Sequence, residues 1–141
     1  MKAKIALICA VALLPALLLG CAVASEQGSI NLTCDDFMSQ KHIIGQLSVN
    51  AGNSFTVTLC ANPTTGFQWE SAVITDPSVL TETNHQFFGP EDENLVGAAG
   101  RDVWTFKALK KGTSNISIAY SRPWEGGEKG EWTFTAAVTV N

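Results

Sequence analysis

Beyond the first twenty residues, apolar side chains recur at every second position, and no stretch keeps a helical period. Ser54-Phe55-Thr56-Val57-Thr58-Leu59 alternates strictly. Gln68 to Thr75 is a second run, with Trp69 near its start, and Val79 to Thr83 is a weaker third. Val103 to Ala108, Asn115 to Tyr120 and Trp132 to Val140 follow, and Gly45 to Val49 supplies an early edge strand. Runs rich in Thr, Val, Ile, Phe and Trp, punctuated by Gly, Pro, Asn and Asp, read as strands. No crossover helix separates them, which excludes βαβ units. Half-apolar alternation suits antiparallel sheets with one wet face each. An immunoglobulin-like β-sandwich is the expected solution, with Trp69 and Trp104 in its core. No Cys follows Trp69 to close the inter-sheet bridge of a true immunoglobulin domain.

The N-terminus has a different character. Lys2 and Lys4 precede an almost unbroken apolar run from Ile5 to Leu19. At about 15 residues this run is short for a membrane span of roughly 20. Residues 1–20 read as an export signal. Two cleavage sites compete. Leu18-Leu19-Gly20-Cys21 resembles a bacterial lipobox, which would make Cys21 the lipidated N-terminus and residues 21–29 a tether. Ala22-Val23-Ala24 before Ser25 fits an A-x-A site instead. The lipobox is the more specific pattern. The expectation is therefore an exported, membrane-anchored lipoprotein of the cell envelope, with a folded domain over residues 30–141. A soluble periplasmic or secreted protein is the alternative.

Without the leader the chain keeps 7 basic and 13 acidic side chains. A negative surface disfavours phosphate backbones, so no nucleic acid is expected as a partner. Of the four cysteines, Cys9 leaves with the leader and Cys21 is lipidated or removed. Cys34 and Cys60 remain, an even number for an oxidising compartment. A disulfide between them would be worth about 3 kcal/mol; two buried free thiols are the alternative. His42 and His85 sit in no catalytic motif and at no metal-ligand spacing. No catalytic residue, metal or cofactor is expected.

Three connections carry more information than the strands. Asn62-Pro63-Thr64-Thr65-Gly66-Phe67 is tight and stiff, because Pro63 fixes one φ and Gly66 permits a positive one. Gln86 to Gly100 is too long for an ordinary hairpin and ends in Gly97-Ala98-Ala99-Gly100. The third connection holds Arg122-Pro123-Trp124 ahead of a Gly-rich stretch, where Trp124 has no strand to carry it inward. Alternate connections of a sandwich emerge at one end, so these three should share a rim.

Those motifs, in this order and spacing from about Gly45 to Asn141, resemble the chagasin family of cysteine-peptidase inhibitors. One position departs from the family pattern: Ala99 stands where the middle loop usually has a glycine. The resemblance implies an all-β, immunoglobulin-like antiparallel sandwich of seven to eight strands. It also implies reversible, non-covalent inhibition of papain-like peptidases by a monomer. The loop around Thr65 would enter the catalytic centre, with the Gly100 and Trp124 loops flanking it. Phe67 would pack inward beneath its loop. A carbohydrate-binding or adhesion sandwich of the cell envelope is the alternative, with Trp124 as the stacking platform.

Overall fold

The computed structural model describes residues 28–141; the leader and Cys21 lie outside the described residues. The described strands are β1 (Ser29–Leu32), β2 (His42–Val49), β3 (Ser54–Ala61), β4 (Gln68–Trp69), β5 (Val73–Ile74), β6 (Leu80–Phe88), β7 (Gly100–Ala108), β8 (Gly112–Ser121) and β9 (Trp132–Val140). One short helix, α1, spans Cys34–Ser39. Two sheets form, ordered β1-β3-β7-β6 and β2-β9-β8-β4, with β5 also pairing β8. The core lies between them. It takes Phe55, Val57 and Leu59 from β3, Trp104 and Phe106 from β7, Ile116 and Ile118 from β8, and Phe134, Ala136 and Val138 from β9. Each of these sits on the inward side of a period-two strand, as the alternation predicts.

Four features depart from the sequence reading. The sheets are mixed and not purely antiparallel, because β1 pairs parallel with β3 and β2 pairs parallel with β9. Both early strands lie at sheet edges, and α1 carries the chain from one sheet to the other between them. A chain that changes sheets need not form a hairpin, so parallel addition at an edge requires no crossover within one sheet. Secondly, the Gln68 to Thr75 run divides into two short strands, β4 and β5. Thirdly, β6 continues to Phe88 and β7 begins at Gly100, which shortens the middle loop and places Gly100 in a ladder with Ala61.

The fourth is α1 itself. Six residues cannot display a 3.6-residue period, but its start is readable as a capping box. Thr33 Oγ1 accepts from the Asp36 amide at 3.3 Å, and Asp36 Oδ2 accepts from the Thr33 amide at 2.7 Å. Its first residue closes the open question about the thiols: Cys34 and Cys60 are bridged, with Cα atoms 5.1 Å apart.

Trp104 has no solvent exposure. Trp104→Ala should cost about 3–5 kcal/mol in urea unfolding, the range for emptying a large core aromatic. A cost below 1 kcal/mol would contradict this packing.

Candidate functional site

The three singled-out connections meet at one end of the sandwich. Asn62 is the residue that brings them together. Its side-chain oxygen accepts from the Thr64 amide at 3.2 Å and the Thr64 hydroxyl at 2.6 Å, which starts a single 3₁₀ turn over Pro63–Thr65. Its side-chain nitrogen donates to the Gly97 carbonyl at 2.9 Å, which ties this loop to the middle one. Its backbone N–H donates to the Tyr120 phenol oxygen at 2.8 Å, which ties it to β8. The turn closes at Gly66, whose φ of 84° is the left-handed conformation that favours glycine.

Arg122 makes the third link. Its Nε and one terminal nitrogen each lie 3.3 Å from the Thr65 carbonyl and donate to it. The guanidinium sits 4.3 Å from the Phe67 ring centre and 6.0 Å from that of Trp124. Arg122 therefore braces the first loop against the third, while its side chain stays partly exposed. Phe67 packs inward as expected, stacked on Tyr120 at 5.4 Å. The third loop is held from inside by Lys129, which donates to the Arg122 and Trp124 carbonyls. Trp124 remains 52% exposed, with its ring against Gly66.

Within the middle loop, Ala98, Ala99 and Gly100 are partly covered, and Ala99 packs on the core. A Cβ at Gly100 would lie 2.2 Å from the Phe88 carbonyl oxygen, so this glycine serves close strand packing. The outermost residues precede the glycine. Leu95 is 57% exposed and Val96 fully so. The sequence reading overlooked both. Their signal was an apolar pair directly before Gly97 in a stretch with no strand pattern. The rim thus presents Pro63, Thr64, Thr65, Leu95, Val96, Pro123 and Trp124 to solvent.

The histidines are paired but form no catalytic set. His42 Nδ1 lies 2.9 Å from Thr133 Oγ1. His85 Nε2 lies 2.7 Å from Asp102 Oδ1 and its ring stacks on Trp104 at 4.3 Å. Among the described residues no cluster of His, Cys, Asp and Glu could hold a metal ion. Burial also raises the Tyr120 phenol above its usual range, so it stays protonated where it meets the Asn62 amide.

The sequence matches the family model described as chagasin family peptidase inhibitor I42 over residues 48–138. The chain belongs to the chagasin family. All three rim motifs lie inside the matched region. Chagasin of Trypanosoma cruzi is 29% identical over 106 residues, covering 74% of this chain and 96% of that one. Amoebiasin-2 of Entamoeba histolytica is 28% identical over 103 residues, covering 73% and 83%. The crystal structure of the cysteine protease inhibitor EhICP2 from Entamoeba histolytica shares the fold. Its TM-score is 0.59 at 24% identity, covering 80% of this chain and 96% of that one. As a member of the chagasin family, the chain is a peptidase inhibitor and not an enzyme.

Asp102 supplies a pH test of the site's foundation. Burial raises its carboxyl above the ordinary range, and the His85 hydrogen bond opposes that. A raised folded-state value means that folding favours the neutral acid, and this contribution is lost as pH rises through that value. The stability of wild type relative to Asp102→Asn should therefore fall as pH rises above the ordinary carboxylate value of about 4. Urea unfolding at a series of pH values checks this; a difference that rises with pH would contradict it.

Proposed function

We propose that this chain inhibits papain-like cysteine peptidases reversibly, by seating its three-loop rim in the active-site cleft. The observation that carries the reading is the cross-loop bonding. Asn62 to Gly97 and Arg122 to Thr65 make three sequence-distant loops into one stiff edge with exposed apolar tips. Two features of the comparisons agree with it: the family is one of peptidase inhibitors, and EhICP2 is described as a cysteine protease inhibitor. A peptidase cleft accepts an extended chain. A wedge of folded loops fills it without offering a peptide bond in attack geometry, and no covalent chemistry is needed.

Roles follow from position. Thr64 and Thr65 lead and block approach to the peptidase's nucleophilic cysteine. Leu95 and Val96 flank on one side, and Pro123 and Trp124 on the other. Arg122 and Asn62 hold the arrangement and so limit the entropy lost on binding. A sugar-stacking role is less well served, because the Trp124 ring abuts Gly66 and is not an open platform. The protein acts as a monomer in this reading, one rim to one cleft. Lipidation at Cys21 would hold it at a membrane, since multiple acyl chains give stable anchoring.

Two variants test the proposal. Trp124→Ala should change the unfolding free energy by no more than about 1 kcal/mol, as befits an exposed side chain. It should weaken inhibition of papain by about thirtyfold, the equivalent of roughly 2 kcal/mol at a hot spot. Unchanged inhibition by this variant removes Trp124 from the interface. For the anchor, Cys21→Ala should move the expressed protein from the membrane fraction to the soluble one. A wild type already soluble points to cleavage after Ala24.

A further inference from the structure

The family match begins at residue 48, so α1 lies outside it. Yet α1 reaches the base of the first rim loop by two routes, one covalent and one packed. The covalent route is the Cys34–Cys60 bridge, which grips β3 just before the chain turns at Asn62. The packed route starts at Phe37, which has no solvent exposure. Its ring lies 5.3 Å from Trp69 and stacks on Trp132 at 5.0 Å. Trp69 and Trp132 each pack against Tyr120, both at 4.8 Å. Tyr120 then receives the Asn62 N–H. A hydrogen bond from Trp69 Nε1 to the Cys60 carbonyl at 2.9 Å joins the two routes.

A six-residue helix is not stable alone in water, so α1 owes its order to these contacts. The contacts act in both directions. Cys34 restrains Cys60 directly, and Phe37 restrains Trp69 directly and Tyr120 through Trp69 and Trp132. Cys60, Trp69 and Tyr120 fix both the entrance to the first loop and the acceptor for its amide. Removing α1 would uncover the faces of Trp69 and Trp132 that Phe37 covers, and these two rings are the ones that hold Tyr120.

We infer that α1 is a positioning element for inhibition: Phe37 and the Cys34–Cys60 bridge hold the Asn62–Phe67 loop in its binding geometry. The inference rests on the reading that this loop enters the peptidase cleft. Cys34, Cys60 and Phe37 are positioning residues, since none of them lies on the exposed rim.

The test compares three variants of the exported domain: Phe37→Ala, the double variant Cys34→Ser with Cys60→Ser, and Val140→Ala. Val140 is buried at the opposite end of β9 and controls for loss of stability alone. Papain is activated first and freed of reductant, so that the wild-type bridge survives the assay. Each protein is measured for urea midpoint, for inhibition of papain, and for hydrogen exchange at the Asn62 amide and the Trp69 indole. The two α1 variants should remain folded, weaken inhibition by about tenfold or more, and exchange faster at both reporter sites. Val140→Ala should lose midpoint but keep wild-type inhibition and slow exchange at both sites. Inhibition by the α1 variants as tight as that by Val140→Ala would overturn the inference, as would unchanged exchange at Asn62. If Phe37→Ala does not fold, Phe37→Leu keeps most of the volume without the ring stack, and is judged by the same readouts. If wild type inhibits no papain-like enzyme, the functional reading falls, and the exchange at Asn62 and Trp69 alone decides whether α1 positions the loop.

Discussion

The hydrogen bond from the Asn62 amide to the Tyr120 phenol joins two parts of the molecule that are built on different chemistry. Below it the structure is aromatic: Tyr120 packs on Trp69 and Trp132, and both pack on Phe37. Above it the structure is a polar turn with its own internal bonds. A turn supported only by its own bonds would fray, because exposed hydrogen bonds contribute little net stability. A phenol at the edge of a packed core is a fixed acceptor at one place. Arg122 repeats the device, since its guanidinium lies on Phe67, itself stacked on Tyr120, while it donates to the Thr65 carbonyl.

The rim is consequently stiff without being buried. Its rigidity comes from pairs that span loops, and not from apolar cover. Asn62 uses its amide oxygen, its amide nitrogen and its backbone N–H for partners on its own turn, the middle loop and β8. On this braced frame the side chains of Leu95, Val96 and Trp124 stay exposed. Exposed apolar side chains on a rigid frame lose little conformational entropy when covered.

Much of this was legible in the residues. The strict alternation of Ser54 to Leu59 and of Asn115 to Tyr120 reports the inward faces of β3 and β8, because a strand has a fixed period of two. The first and third rim motifs were legible for a different reason: Pro63 and Pro123 each fix one φ and Gly66 permits a positive one, whatever lies around them. Sheet pairing was not legible. That β1 lies beside β3 and β2 beside β9 depends on contacts distant in sequence, which alternation does not encode. The bracing bond of Arg122 to the Thr65 carbonyl was not legible on the same ground, since it joins residues distant in sequence. Leu95 and Val96 were hidden because an apolar pair outside any strand has no periodicity to betray it. The helix α1 was too short for a period, and only its capping box spoke for it.

The parallel pairing of β1 with β3 fixes a direction. β3 runs toward the rim and ends where Asn62 begins it, and β1 runs the same way from Ser29. Gly28 lies at the end of β1 away from the rim, packed against Leu47. Gly28 thus sits at the end of the sandwich opposite the three-loop rim. An attachment on that side would act as a handle, with the working face turned outward toward whatever diffuses past.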